Sequence, residues 1–278
     1  MSLHLWGAPF DAESLAAANF VAENCKNIEI ELLYDSNYFL SPNGKLPVLL
    51  DGDLTLEGYK EIVNHLINKH NLLACSVEQK LLDQGLIEHL LSNLEVVSCY
   101  NFFLNKDNFE GYTRGVFKNI LPFPFQYMPP LNLKARAAAI CETAGISSTE
   151  ESNQLRQLKE REKTLRETPT LSNFDQSQRN ASLKVVLDQM DILTNMRCVS
   201  LLEETIKLVK DLGLPKSYPS SILFDAYIQC NTDPNLKTDF VLKYLKSSHP
   251  DLLQSYQDIQ PQPVSFATAV QSLARNYL

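Results

Sequence analysis

Hydrophobic and polar positions change their spacing near residue 71, and the change divides the chain. Before it, short apolar runs alternate with turn residues. Leu3-His4-Leu5-Trp6 reads as a strand and Gly7-Ala8-Pro9-Phe10 as a turn. Asp11 can cap a helix running to about Cys25. Ile28, Ile30 and Leu32 alternate with Glu29 and Glu31, the period of a half-exposed strand. Val48-Leu49-Leu50 and Leu54-Thr55-Leu56 flank an Asp-Gly turn and read as a hairpin. A helix follows over 58–70, its face formed by Ile62, Val63, Leu66 and Ile67. The order is β-α-β-β-β-α.

After Asn71 the spacing is helical throughout. One long helix is predicted over 77–103, marked by Leu81, Leu82, Leu90, Leu91, Leu94 and Val97. Asn108 is the expected cap of a second helix, ending near Ile120. Leu121-Pro122-Phe123-Pro124-Phe125 breaks the chain, and Pro129-Pro130 breaks it again. A third helix over 134–142 stops at Gly145. Glu150 to Glu167 offers only Leu155, Leu158 and Leu165 as an apolar stripe, so this segment reads as a solvated helix or a mobile insertion. Further helices are predicted over 181–196, 199–212, 221–230, 236–246 and 266–277. The expected class is α+β: a small sheet domain over 1–74, then an all-helical domain over 75–278 with a polar insertion over 147–181. No internal repeat is visible.

Composition narrows the partners. The chain has 278 residues, 44% of them apolar and 21% charged, as in ordinary globular proteins. Its net charge of -8 argues against non-specific nucleic-acid binding. The six cysteines (Cys25, Cys75, Cys99, Cys141, Cys198 and Cys230) lack zinc-like spacing and read as reduced, mostly buried thiols. The N-terminus has no basic start or apolar stretch of the targeting kind, and the first arginine is Arg114. No segment approaches the roughly 18 to 20 apolar residues of a membrane span. Val264 to Leu278 is amphipathic and reads first as a docked final helix, second as an interfacial segment.

Chemistry centres on Gly44-Lys45-Leu46-Pro47, just before the hairpin. Proline cannot donate to a sheet ladder and so stands at a strand's start, edge or bulge. The Leu46-Pro47 bond is expected to be cis. This cassette fits a thioredoxin-like domain, and a thioredoxin-like domain before a helical one is the layout of glutathione transferases. Within that layout the chain resembles the metaxins, including the fungal metaxin-like subunit of the mitochondrial sorting and assembly machinery. The resemblance rests on Leu3-His4-Leu5-Trp6-Gly7, on Ser41-Pro42-Asn43-Gly44-Lys45-Leu46-Pro47-Val48-Leu49, and on Ile62-Val63-Asn64-His65-Leu66. Its most specific part is Phe102-Phe103-Leu104-Asn105-Lys106-Asp107-Asn108-Phe109, then Tyr112-Thr113-Arg114 and Leu121-Pro122-Phe123-Pro124-Phe125.

The resemblance implies a non-catalytic adaptor on the cytosolic face of the mitochondrial outer membrane, attached peripherally through protein contacts. It implies a membrane-embedded β-barrel subunit and a second metaxin-like subunit as partners, with precursor β-barrel proteins and import-receptor components as further contacts. No catalytic, cofactor-binding or metal-binding residue is assigned, and no cofactor. A transferase needs a hydroxyl or thiol near the first strand's end to lower the pKa of a bound thiol. Ala8 stands where many relatives carry Ser or Cys. Ser14 reads as an ordinary first-turn residue, and nothing places Tyr34 or Tyr38 in the groove. Relatives that bind glutathione hold its peptide-like end with an acidic or amide residue followed by serine, at a helix N-terminus. Here those residues are Glu57-Gly58, so the hydroxyl is missing. Ser220 and Ser221 can cap a late helix, but Asp225 falls one residue late for a capping box.

Two alternatives stay open on residues alone. One is a glutathione-dependent transferase with an unconventional donor. The other is a cytosolic glutathione-transferase-like scaffold of a translation assembly. His65 and His70 stand i,i+5, a poor spacing for one metal, and read as helix-end residues. The aromatic run Phe102, Phe103, Phe109, Phe117, Phe123, Phe125 and Tyr127 reads as a packed hub, with a recognition surface as the second reading.

Overall fold

In the computed structural model, residues 1–41, 43–73, 75–146, 173–253, 263–267 and 270 are described, 173–188 by backbone alone. The predicted insertion over 147–181 lies outside the described residues as far as 172, and its last part, from Asn173, is helical; the final helix predicted over 266–277 lies largely outside them.

Four strands form one mixed sheet in the order β2-β1-β3-β4. β1 (Ser2–His4) pairs in parallel with β2 (Glu31–Leu33) and antiparallel with β3 (Val48–Asp51), and β3 pairs with β4 (Leu54–Glu57). Leu3 faces Leu32 on one side and Leu49 on the other. The first strand is shorter than its apolar run. Beyond Leu5 the backbone turns to side chains: Trp6 N–H donates to Ser14 Oγ at 3.1 Å and Gly7 N–H to Ser36 Oγ at 3.0 Å. β2 is shorter too, because Ile28 N–H is drawn back to the Cys25 carbonyl in a turn off the preceding helix.

That helix, α1 (Ala12–Asn24), is capped by Asp11, whose carboxylate accepts from Ser14 N–H at 3.0 Å. The hairpin turns through Gly52 at φ +63°, a conformation glycine adopts without steric cost. The Leu46-Pro47 bond is cis as expected, and so is Phe123-Pro124. The Pro47 carbonyl accepts from Gly58 N–H at 2.9 Å, closing the hairpin onto α2 (Tyr59–His70). Asp51 pins the same hairpin to α2 through His65 at 2.9 Å and through Lys69. Hydrogen bonds from Lys69 and His65 hold the Asp51 carboxyl below its ordinary range. His65 thus has a structural partner, apart from His70.

The helical part departs from its sequence pattern in several places. First, α3 (Val77–Cys99) opens with a Ser76/Gln79 capping box and ends at Cys99, where a π-helical turn (Tyr100–Leu104) replaces the expected α-helix. Second, the next cap is Asn105, not Asn108: Asn105 Oδ1 accepts from Asn108 N–H at 3.2 Å over the short α4 (Lys106–Asn108). Asn108 is wholly buried, and after a second π-helical turn (Phe109–Thr113) comes α5 (Arg114–Ile120). Third, Pro129-Pro130 does not break the chain. It opens α6 (Met128–Thr143), where the missing N–H groups cost nothing. Fourth, the two helices predicted over 181–212 are one helix, α7 (Asn173–Leu212).

α8 (Pro219–Asn231) is buried along most of its length and packs against both α1 and α3. No residue of its own sequence caps it. Asp83 of α3 accepts from Ser220 N–H at 3.0 Å and from Ser220 Oγ at 2.5 Å, and Tyr59 of α2 donates its hydroxyl to the Pro219 carbonyl at 2.7 Å. A cap supplied from another helix leaves no local signal, which is why Asp225 falls out of register for a box. α9 (Phe240–Ser248) starts later than predicted, because Leu236 N–H is held by the Asp233 carbonyl in a turn.

Candidate functional site

Where the sheet meets α3 and α6 lies a cavity of about 100 Å³. Trp6, Phe10, Leu46 and Phe103 form its apolar lining. Trp6 stacks on Tyr38 with centroids 5.6 Å apart, and Phe10 stacks on Phe117 at 5.1 Å and meets Phe103 edge-on at 5.6 Å. These rings are the buried half of the aromatic run: Phe102, Phe103, Phe109 and Phe117 are in the core. Phe123 and Tyr127 are exposed, so the run is part hub and part surface.

The cavity's polar lining is charged. Asp11, Glu13 and Glu95 face Lys45 and Arg136, and Arg136 reaches Glu95 at 3.3 Å. Burial, helped by the Glu13 charge, pushes Asp11 up from an ordinary 3.8 to about 7. Burial also raises Glu13, against the hydrogen bond from Tyr59 N–H. Cys99 lines the same space, and burial pushes its thiol far from ionisation. A thiol kept protonated is a poor nucleophile and a poor metal ligand.

The residues singled out in sequence fall into place around this cavity, mostly with other work to do. Ala8 is buried and offers no donor. Ser14 is buried as well, and its hydroxyl accepts from Trp6 N–H, so it ties the first strand's exit to α1 instead of standing as an ordinary first-turn residue. Tyr34 and Tyr38 are outside the lining, and burial raises both phenols, Tyr38 to about 12. Glu57 Oε2 accepts from Asn43 Nδ2 at 2.8 Å. Burial works upward on that carboxyl, but bonds from Asn43 and Ser41 outweigh it and the net direction is down. Glu57 therefore braces the loop before Pro47.

Sequence reasoning missed Glu13. Its Oε2 accepts from Tyr59 N–H, at the start of α2, at 2.9 Å. A Cβ placed on Gly58 would lie 3.4 Å from the same oxygen. The N-terminus of α2, the anion-favouring end of the helix dipole, is thus engaged by a carboxylate of the chain itself. A first-turn glutamate in α1 gave no hint of this, since the contact is made 46 residues away. Among the described residues no group of three His, Cys, Asp or Glu side chains is placed to hold a metal ion.

Residues 14–134 match the family described as "Tom37: Outer mitochondrial membrane transport complex protein". That stretch resembles the transport-complex family over somewhat less than half of the chain. Over 113 residues the chain is 30% identical to a metaxin-1 homolog of Drosophila melanogaster. That alignment covers 38% of this chain and 33% of the relative, so it spans about a third of the curated protein's length. The apo form of human glutathione S-transferase T1-1 aligns over 99% of this chain and 96% of its own, at 14% identity and a TM-score of 0.36. The four-stranded mixed sheet, the cis-proline hairpin and the helices that follow agree with the α+β layout expected from the sequence. Among the described residues no helix is long and apolar enough to cross a membrane.

Proposed function

We propose that this protein is a metaxin-type, non-catalytic adaptor of the mitochondrial outer-membrane sorting and assembly machinery. In that role it supports insertion and release of β-barrel precursors from the cytosolic face. It sits beside a membrane-embedded β-barrel subunit and a second metaxin-like subunit and is attached through protein contacts.

The observation that carries this reading is the internal use of the groove's ligand-holding groups. A transferase site needs an available donor at the sulfur and an open helix N-terminus at the carboxylate. Here Ala8 has no donor, Ser14 Oγ is committed to Trp6, and Glu13 engages α2. The match over 14–134 supports the membrane assignment. The account of residues 1–74 and 75–278 as separate domains belongs to the same proposal.

The test is a tagged copy expressed in its own cells and purified in mild detergent. Outer-membrane β-barrel and metaxin-like proteins are the expected companions. A companion set of translation factors with no outer-membrane protein contradicts the adaptor reading.

A further inference from the structure

Between α5 and α6 and on the first turn of α6 the chain exposes large apolar side chains. Phe123 is 70% exposed, Met128 62% and Leu131 54%. Phe123 meets Tyr127 edge-to-face at 6.0 Å, and Phe125 packs on the exposed ring of Phe266 at 5.8 Å, which extends the patch. Most monomer surfaces carry no such cluster unless something covers it.

Beside it, Arg114 and Lys118 stand i,i+4 on α5 and line a groove of about 420 Å³ together with Tyr127 and Leu131. Both cations are exposed, and neither forms an ion pair among the described residues. Glu110, one turn earlier, is the only carboxylate in the lining. On a chain of net charge -8, two unpaired cations next to exposed aromatics form a local exception.

We infer that this face lies against an anionic lipid surface. Phe123, Tyr127 and Met128 enter the interfacial layer, where amphipathic and aromatic side chains are favoured. Arg114 and Lys118 meet lipid phosphates. An acidic protein approaching an anionic membrane is repelled except where it presents such cations. A protein partner could also cover the rings, but two cations against a single lining carboxylate, Glu110, leave net positive charge that fits a headgroup layer better. The inference rests on the membrane association proposed above and adds direct lipid contact to it.

The test is flotation of the full chain with vesicles of phosphatidylcholine alone and of phosphatidylcholine mixed with phosphatidylinositol. Binding is expected to the mixed vesicles and to be at least about tenfold weaker to the neutral ones. Each basic residue near such a surface is worth about fivefold, so Arg114→Glu with Lys118→Glu should lower binding by roughly 25-fold or more. Phe123→Ser with Tyr127→Ser should lower binding to the mixed vesicles as well. All four positions are exposed, so the melting temperature of each variant should stay near the parent's. Failure of the parent chain to float with the mixed vesicles overturns the inference. So does equal flotation of the charge-reversed variant. Loss of co-purifying proteins in these variants, with no vesicle binding by the parent, assigns the face to a protein and overturns it too. The adaptor reading is judged separately, by the companion set of the unaltered chain.

Discussion

Asn108→Leu is expected to lower folding stability by about 3 kcal/mol or more, among the largest effects of any single substitution here. Asn108 is wholly buried, and both ends of its amide are used. Nδ2 donates to the Asn101 carbonyl at 3.1 Å, to Asn101 Oδ1 at 2.9 Å and to the Thr238 carbonyl at 3.1 Å. Oδ1 accepts from Thr238 N–H at 2.7 Å. The network continues: Asn101 Nδ2 donates to Asn231 Oδ1 at 3.1 Å, and Asn231 Nδ2 to Ser98 Oγ at 2.7 Å. Leucine has a similar volume but leaves the buried Asn101 Oδ1 and the half-buried Thr238 N–H without the partners Asn108 supplies. Each stranded group costs about 1–3 kcal/mol. Urea denaturation checks the effect, with a lower midpoint and an unchanged slope. A loss under about 1 kcal/mol would mean the network contributes little. Asn105 and Asn108 stand between the two π-helical turns that join α3 to α5.

The second large effect depends on pH. Asp11 has its folded pKa raised to about 7 from an ordinary 3.8. The folded state therefore binds a proton that the unfolded chain releases, and stability falls as pH rises through that window. Below about pH 4 the contribution is whole; above about pH 7 it is lost. Roughly three decades of proton affinity correspond to ~4 kcal/mol at most. Asp11 keeps some solvent contact, so about 2 kcal/mol is the expected size. Asn at this position still accepts from Ser14 N–H as a cap but cannot ionise beside Glu13 and Glu95. Asp11→Asn should therefore gain stability over the parent as pH rises from 5 to 8. Lys45 and Arg136 line the same cavity and keep the remaining carboxylates compensated. A parent-to-variant difference that does not change with pH would refute the assignment.

How far the sequence speaks depends on how local each signal is. The order of elements over the first 70 residues, the Asp11 cap, the cis proline, the hairpin and the stop at Gly145 are legible, because each is written within a few neighbouring residues. What the sequence hid was made over distance. Asp83 caps α8 from 137 residues away, Glu13 engages α2 from 46, and Asn108 accepts from Thr238 across 130. The proline pair at 129–130 was misread because proline opens a helix as readily as it ends one. At the candidate site the missing donor at Ala8 is readable from the residue type alone. It could not say that Ser14 and Glu13 were engaged elsewhere, since that depends on which groups face each other after folding.

The account turns on whether the cleft beside Pro47 still accepts and activates a thiol. Titration of the full chain with glutathione in a calorimeter, with the ultraviolet absorbance of the thiolate followed in parallel, answers this directly. The account predicts no saturable heat at millimolar glutathione and no thiolate signal at neutral pH. Saturable binding with an ionised sulfur at that pH would contradict it.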